Sequence, residues 1–247
     1  MIKALTIENG LIQDKEIDGI PVKLLIVKPS GTKRNVRTLT KMKQIIGITN
    51  HNTANASPTA GSESHAKYLQ NMENGDSTYV SVHFFVDYEC IVQCVPLDEF
   101  CYHAGDGNGD GNKKTISIEI CENKEIETAE ENAKKLNAAL LLTYPDLKVY
   151  KHQDWSGKYC PHIILDRPNG WETFVNDIYN YVEKSREEEE MEKIYNWTLE
   201  VPEWGRPTIQ KLLDKGYLKG NDKGELQITE SMLRMLVIND RAGCYNL

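Results

Sequence analysis

Long apolar runs are missing from this sequence of 247 residues. No stretch approaches the roughly eighteen consecutive apolar residues that a membrane-spanning helix needs. The first residues, MIKALTIENGLIQDKE, also lack the basic segment followed by an apolar segment that marks a signal peptide. We therefore expect a chain that is made in the cytoplasm and does not insert into a membrane.

An excess of positive charge is missing as well. The chain has 29 Lys and Arg residues against 37 Asp and Glu residues, which gives a formal net charge of −8, and no basic stripe stands out. This balance disfavours a nucleic-acid partner. Apolar residues make up 40% and charged residues 27% of the chain. Such a composition is typical of one large globular domain, or of one domain with a small additional module.

Histidine is absent from the final third of the chain, because all six histidines lie between residues 51 and 162. The six cysteines could pair, but we expect free thiols, since a chain of this size without an export signal is made in a reducing compartment. Cys90 and Cys94 could form half of a zinc site, but no second pair of cysteines accompanies them. The distribution of histidine predicts chemistry in the first part of the chain and a different role for the last part.

Hydrophobic patterning predicts a mixed α/β domain over residues 1–184. Residues 45–49 and the segment TISIEIC read as buried strands, and VSVHFFVDYECIVQCVPL reads as a hairpin that turns at residues 87–89. Apolar residues recur at helical spacing over residues 125–142 and again near residues 171–184. This alternation of strands and helices is typical of a central mixed β-sheet flanked by helices.

The end of the chain has a different composition. Residues 185–200 contain the acidic run REEEEME and are interpreted as a linker or a solvated helix. Two amphipathic segments follow, with Pro207 near the start of the first and Thr229 as the N-cap of the second. We predict a small helical C-terminal module over residues 201–247.

The segment KHQDWSGKYCPH at residues 151–162 combines ligand-type side chains at short spacing. Imidazole and thiolate groups are preferred zinc ligands, so His152 and Cys160 could converge on one ion if the loop between them turns back. A third ligand would be His51, at the end of a separate strand, with His162 as its main rival. Three protein ligands would leave one position for water, as in catalytic zinc sites. The alternative interpretation is that these side chains only pack.

Five segments of the chain, taken together, resemble one known family. They occur in the order ITNHNTAN, VSVHFFVD, CYHAGDG, TISIEIC and KHQDWSGKYCPH. In this order they resemble the zinc-dependent N-acetylmuramoyl-L-alanine amidases of the type 2 class, which share a fold with peptidoglycan recognition proteins and occur as phage endolysins and bacterial autolysins. The resemblance covers roughly residues 40 to 182.

The resemblance implies a role for each matching residue. Zinc would be held by His51, His152 and Cys160. Glu119 would act as general base and acid, and Lys158 would face the developing oxyanion. The remaining implied site residues would contact substrate: His103, His83 and Asn52. His83 could instead simply pack within its strand.

Two further observations bear on the catalytic carboxylate. In TISIEIC the isoleucines at alternate positions face the core, so Glu119 lies on the opposite face of the strand. Some relatives carry a catalytic tyrosine where this chain has Val82, which places more weight on Glu119. We interpret Asn50 and Asp154 as possible partners that orient the ligating histidines.

The implied function is cleavage of the amide bond between N-acetylmuramic acid and the L-alanine of the peptidoglycan stem, in a phage or prophage lytic enzyme that reaches the wall after its release from the cytoplasm. The alternatives are a zinc peptidase that cuts within the stem and a peptidoglycan receptor without catalysis. For the C-terminal module, the exposed-type aromatics Trp197, Trp204 and Tyr217 suit wall binding. A helical cap or a dimerisation unit remains the alternative.

Overall fold

The computed structural model describes residues 1–30, 36–75, 80–190 and 193–245. The chain divides into two compact units, Met1–Ser185 and Arg186–Leu247. No helix within these described ranges is both long enough and apolar enough to cross a bilayer.

The first unit is built on a seven-stranded sheet. Its strands are β3 (Glu16–Ile17), β4 (Ile20–Leu24), β5 (Gly47–Asn52), β6 (Phe84–Val86), β7 (Ile91–Gln93), β8 (Thr115–Ile120) and β9 (Lys148–Lys151). A separate antiparallel pair, β1 (Ile7–Glu8) and β2 (Leu11–Ile12), precedes them. The spatial order is β3-β4-β7-β6-β8-β5-β9. β6 and β7 form the antiparallel hairpin that the sequence predicts, whereas β8, β5 and β9 run parallel.

Helices lie against this sheet. The helices of the first unit are α1 (Ser62–Asn74), α2 (Asp110–Lys114), α3 (Ile126–Thr143), α4 (Gln153–Ser156), α5 (His162–Leu165) and α6 (Gly170–Glu190), of which α6 continues into the second unit. The predicted fold class, a mixed central sheet flanked by helices, is confirmed. The acidic run after Ser185 is helical as far as Glu190.

Alternation along β8 explains how the sheet acquires two buried faces. Ile116, Ile118 and Ile120 are fully buried and belong to a core that also contains the apolar stripe of α3 and residues Phe174, Ile178 and Val182 of α6. Cys121, on the opposite side, belongs to a second apolar cluster with Leu69 of α1. Each fully buried isoleucine contributes about 1.5–3 kcal/mol. The core therefore holds β8 firmly in the register that the site requires.

The second unit is small and contains more than helices. Its elements are β10 (Ile194–Tyr195), a 3-10 turn (Thr198–Glu200), α7 (Arg206–Asp214), β11 (Ile228–Thr229) and α8 (Glu230–Arg241). β10 and β11 pair antiparallel, a feature that the sequence did not predict. As expected, Thr229 caps α8, since its hydroxyl accepts the backbone N–H of Met232 at 3.2 Å. The core consists of Tyr195, Val201, Ile209, Ile228, Leu233 and Val237.

Candidate metal and catalytic site

Strand register brings the predicted site residues to one edge of the sheet. β5 and β8 are parallel neighbours in which His51 lies opposite Glu119. On its other side β5 pairs with β9, and Asn50 lies opposite Lys151, so His152 follows directly at the same edge. Because parallel strands end at the same edge of a sheet, residues distant in sequence meet here.

The loop after β9 turns back toward β5 and delivers the cysteine. Gly157 adopts a left-handed conformation with φ of 74°, which glycine reaches without steric cost. The backbone N–H of Gln153 donates to the carbonyl of Cys160 at 3.1 Å, which closes the loop. The turn explains why a histidine and a cysteine separated by seven residues converge.

Three ligand-type atoms come together at this edge. Nδ1 of His51 lies 2.9 Å from Nδ1 of His152 and 3.9 Å from Sγ of Cys160. The three residues are buried, and one potential ligand atom from each lies within 4.8 Å of the others. Two ligands of one tetrahedral zinc ion are about 3.3–3.6 Å apart, given zinc–nitrogen bonds of about 2.0–2.1 Å and zinc–sulfur bonds of about 2.3 Å. The spacing therefore fits one such ion. No other group of this kind occurs among the residues described.

The electrostatics of the three groups also suit a cation. Burial lowers the pKa of His51 well below its usual value, and it lowers the pKa of His152 to about 4. Both imidazoles are therefore neutral near pH 7, the form that binds metals. Burial raises the pKa of the Cys160 thiol to about 11. A thiol in such surroundings becomes a thiolate when a divalent cation is placed beside it. The donor set thus fits zinc.

Glu119 lies next to this cluster. One of its carboxylate oxygens, Oε1, is 4.0 Å from Nδ1 of His51, and its side chain is 22% exposed. Burial raises the pKa of Glu119 to about 8, against the opposing effect of the positive charge of Lys158. Lys158 itself is exposed on the loop before Cys160. The carboxyl of Glu119 can thus gain or lose a proton near neutral pH.

His103 lies behind the cluster. Nδ1 of His103 is 3.0 Å from Nε2 of His51, and the two rings meet edge to face. The side-chain oxygen of Asn112 accepts the backbone N–H groups of His103 and Ala104 at 2.7 and 2.8 Å, which holds the loop in place. His103 was predicted to line the substrate cleft, but here it contacts a predicted ligand.

The two partners that the sequence suggested for the histidines are wrong. Asp154 pairs with Lys151 at 2.6 Å. Asn50 exchanges hydrogen bonds with the side-chain amide of Asn137 at 3.1 and 2.9 Å. Neither side chain orients a ligating ring.

Three other predicted residues lie apart from the cluster or at its border. His83 is fully buried and bonded within the fold, with Nδ1 at 2.9 Å from the Ser117 hydroxyl and Nε2 at 2.8 Å from the Glu99 carbonyl. The structure does not bring it to the site. Oδ1 of Asn52 accepts the backbone N–H of Ile163 at 3.1 Å, close to the cysteine loop. His162, the rival third ligand, instead faces Glu122 at 3.7 Å.

The sequence patterns assign no role to His65, which lies on α1. It lines a cleft of about 550 Å³ that also includes Glu119, and its ring stacks on Phe85 with centroids 5.0 Å apart. A signal was present, because Ser64, His65, Tyr68, Leu69 and Met72 recur at helical spacing and all line the cleft. The six cysteines are free thiols, as expected, and Cys90 and Cys94 are buried in an apolar cluster.

Comparison with solved structures defines the class of fold. The chain is similar to the catalytic domain of XlyA, with a TM-score of 0.57 and 38% identity over 64% of this chain and 99% of that one. It is also similar to the PlyG catalytic domain, with a TM-score of 0.57 and 32% identity over 66% and 96% of the two chains. Both are structures of catalytic domains.

Comparison of sequences then gives the family. Residues 41–163 match the family model described as N-acetylmuramoyl-L-alanine amidase. CwlH of Bacillus subtilis (strain 168) is 44% identical over 136 residues, which is 53% of this chain, and XlyA of the same organism is 44% identical over 135 residues, also 53% of this chain. The chain belongs to the N-acetylmuramoyl-L-alanine amidase family, which confirms the resemblance.

The match covers only part of this chain and only part of each relative. The chain spans about half the length of the curated relatives it matches, 52% of CwlH and 43% of XlyA. The family match ends at residue 163, so the second unit lies outside it.

Proposed function

We propose that this protein hydrolyses the amide bond between the lactyl group of N-acetylmuramic acid and the L-alanine of the stem peptide, as an endolysin or autolysin acting on bacterial peptidoglycan. The observation that carries the proposal is the convergence of His51, His152 and Cys160 beside the carboxyl of Glu119. The named activity of the relatives supports it.

The metal is proposed to be zinc. Two neutral imidazoles and a thiolate form a donor set that zinc prefers over harder cations. Zinc held by His51, His152 and Cys160 would supply an activated water and a Lewis acid for the scissile carbonyl. Three protein ligands are the number typical of catalytic rather than structural zinc sites.

Glu119 is proposed to move the proton. Its side chain lines the cleft and is 22% exposed, which gives a substrate in the cleft access to it. It would accept a proton from the attacking water and return it to the departing nitrogen of L-alanine. A pKa of about 8 suits both directions of transfer near neutral pH. Because Val82 stands where some relatives have tyrosine, Glu119 would perform both steps.

Lys158 is proposed to stabilise the negative charge that develops on the carbonyl oxygen. Its positive charge lowers the pKa values of His51, His152 and Glu119, so its field reaches all three groups. A cation at this place favours the transition state more than the neutral substrate.

The second unit is proposed to bind the cell wall. Its aromatic side chains Trp197, Trp204 and Tyr217 are exposed, and such side chains are typical of binding surfaces. A helical cap or a dimerisation unit is the competing proposal.

The experiment combines metal analysis with hydrolysis of purified cell walls. We expect wild type to bind one zinc ion and to release peptides with new L-alanine N-termini, identified by mass analysis. Cys160→Ser should lose both metal and activity, because the thiolate is a ligand. Glu119→Ala should keep the metal and lose about 10²–10⁴-fold in rate.

A matched control and the opposing outcomes make the test decisive. Cys244→Ser removes an exposed thiol of the second unit and should change neither property. New termini within the stem would identify a peptidase, and the absence of any release by zinc-loaded wild type would identify a receptor. Full activity of Glu119→Ala would remove Glu119 from its proposed role.

A further inference from the structure

The two ring nitrogens of His51 face different neighbours. Nδ1 lies 2.9 Å from Nδ1 of His152 and 3.9 Å from Sγ of Cys160, so this nitrogen faces the other two ligand-type residues. Nε2 lies 3.0 Å from Nδ1 of His103, on the opposite side of the ring. A neutral imidazole carries one proton, and only the nitrogen without it can bind a metal. The place of the proton on His51 therefore decides whether Nδ1 can act as a ligand.

His103 is neutral, and its second nitrogen faces Thr115. The ring is buried and forms no ion pair with a carboxylate among the described residues, and a buried cation without a counter-charge is unfavourable. Nε2 lies 3.4 Å from Oγ1 of Thr115, at the long end of hydrogen-bonding distance. A neutral ring has one donor and one acceptor nitrogen. The direction of this hydrogen bond therefore decides whether Nδ1 of His103 accepts a proton from His51 or donates one to it.

The neighbours of the buried Thr115 hydroxyl settle this direction. The hydroxyl donates its single proton to the carbonyl oxygen of Gly111 at 2.6 Å, an atom that can only accept. Oγ1 of Thr115 therefore accepts from its other neighbours, Oγ1 of Thr49 at 2.8 Å and Nε2 of His103 at 3.4 Å. Thr49 is able to donate because its own oxygen accepts the ring N–H of Trp155 at 3.0 Å. All these hydrogen bonds are consistent with a proton on Nε2 of His103.

The carbonyl of Gly111, where the network ends, is held in place. The backbone N–H of the same residue donates to Oδ2 of Asp106 at 2.8 Å. A Cβ atom at Gly111 would lie 2.6 Å from Cβ of Ala104 and 2.7 Å from the ring of Trp155, which is closer than such atoms approach each other. Only glycine therefore lets the backbone pack this tightly beneath Thr115.

We propose that Thr115 is a positioning residue of the metal site and acts through His103. Its hydroxyl accepts the Nε2 proton of His103, so Nδ1 of His103 accepts the Nε2 proton of His51. The lone pair on Nδ1 of His51 is then left facing the other ligands. The opposite arrangement would place a proton between the ligands and oppose metal binding. The inference rests on the proposed function only through its zinc site.

The test is a double-mutant cycle that measures the zinc Kd of the full chain by competition with a fluorescent chelator. Thr115→Val removes the hydroxyl and keeps the shape of the side chain, and we expect it to raise the Kd about tenfold. In the His103→Ala background the same substitution should change the Kd by less than about twofold, because Thr115 then has no ring to act on. Thr115→Ser restores the hydroxyl and should return the Kd to the wild-type value.

Thr38→Val is the matched control. It also removes a buried threonine hydroxyl, one that donates to the carbonyl of Phe100 at 3.0 Å, and it should leave the zinc Kd unchanged.

A second readout needs neither zinc nor substrate. Heteronuclear NMR of metal-free protein labelled at histidine reports which ring nitrogen carries the proton. In wild type and in Thr38→Val we expect the proton of His51 on Nε2. In Thr115→Val a measurable share of the molecules should carry it on Nδ1. Loss of packing alone would not move this signal.

The outcomes separate the inference from the function on which it rests. An unchanged zinc Kd for Thr115→Val, or an equal loss in the wild-type and His103→Ala backgrounds, overturns the inference and leaves the amidase function intact. A proton on Nδ1 of His51 in the metal-free wild type also overturns it, and this measurement holds even if Thr115→Val does not fold. If wild type binds no zinc, the proposed metal site and the inference fail together.

Discussion

The two units of this chain use their side chains in opposite ways. The first unit buries a large set of polar groups, including His51, His103 and His152, at the edge of its sheet. The second unit has one buried polar residue, Thr208, among its described residues. Yet each unit exposes eight large hydrophobic side chains among the residues described, although the second has only 62 residues against 185 in the first.

The difference supports the proposal that the first unit carries out chemistry and the second unit binds a partner. Buried polar groups are unfavourable unless they are paired or take part in function, so their concentration in the first unit is typical of an active site. A high density of exposed large apolar side chains on a small unit is typical of surfaces that contact a partner. This surface supports the proposal that the second unit is a binding module, the different role that the distribution of histidine in the sequence predicts for the last part of the chain.

The largest expected effect is that of metal removal, which should change the stability of the first unit and not that of the second. Zinc bound only to the first unit would stabilise that unit by about 4 kcal/mol when free metal is a thousandfold above its Kd. Chelation should thus lower the midpoint temperature of the calorimetric transition of the first unit by about 10 °C. The midpoint temperature of the second unit should stay unchanged. In Cys160→Ser the chelator should have no effect.

Two observations would contradict this prediction. A simultaneous shift of both transitions would mean that the units unfold together. The absence of any shift would mean that the cluster of His51, His152 and Cys160 holds no metal.

A smaller effect is expected at the histidine behind the site. His103→Ala removes the ring that contacts Nε2 of His51 and should weaken zinc binding by about 10–100-fold. Asp154→Asn, which alters a residue without contact to the cluster, should leave zinc affinity unchanged. Competition with a fluorescent chelator measures both. If His103 instead contacts substrate, KM will rise while zinc affinity stays at the wild-type value.

The position of His103 illustrates what sequence patterns can predict. The alternation in β8 correctly predicted which face carries Glu119, because successive side chains of a strand point to opposite faces of the sheet. The short spacing of His152 and Cys160 in the sequence was enough to predict that these two side chains could meet. The inclusion of His51 in the same cluster could be predicted only from the parallel register of β5 and β9 or from the family resemblance. The contact of His103 with His51 depends on a loop held by Asn112. The periodicity of a single helix or strand does not predict a tertiary contact of this kind.

The same reason explains the other differences. β10 and β11 have two residues each, too few to produce a recognisable alternation. His65 lies on α1, and which face of α1 borders a cleft depends on the packing of that helix against the sheet. Patterns within one element were therefore informative, and relations between elements were not.

The smallest expected effect concerns the outer face of α8. Leu233 and Val237 are buried in the core of the second unit, whereas Met232, Met235 and Ile238 are exposed at three-residue spacing, with Met235 65% exposed. A helix that is apolar on both sides is typical of an element with a second contact surface. If that surface binds the wall, Met235→Gln should reduce the fraction of protein that pellets with cell walls a few-fold.

Stability separates this effect from simple unfolding. Met235→Gln should change the free energy of unfolding by less than about 0.5 kcal/mol, because the side chain is largely solvated. Leu233→Ala, on the buried face, should cost about 2–5 kcal/mol and reduces pelleting only through loss of folded protein. Unchanged pelleting of Met235→Gln, combined with the conversion of a wild-type dimer to a monomer in analytical ultracentrifugation, would instead identify this face as a dimer interface. In that case the second unit joins two catalytic units rather than carrying one of them to the wall.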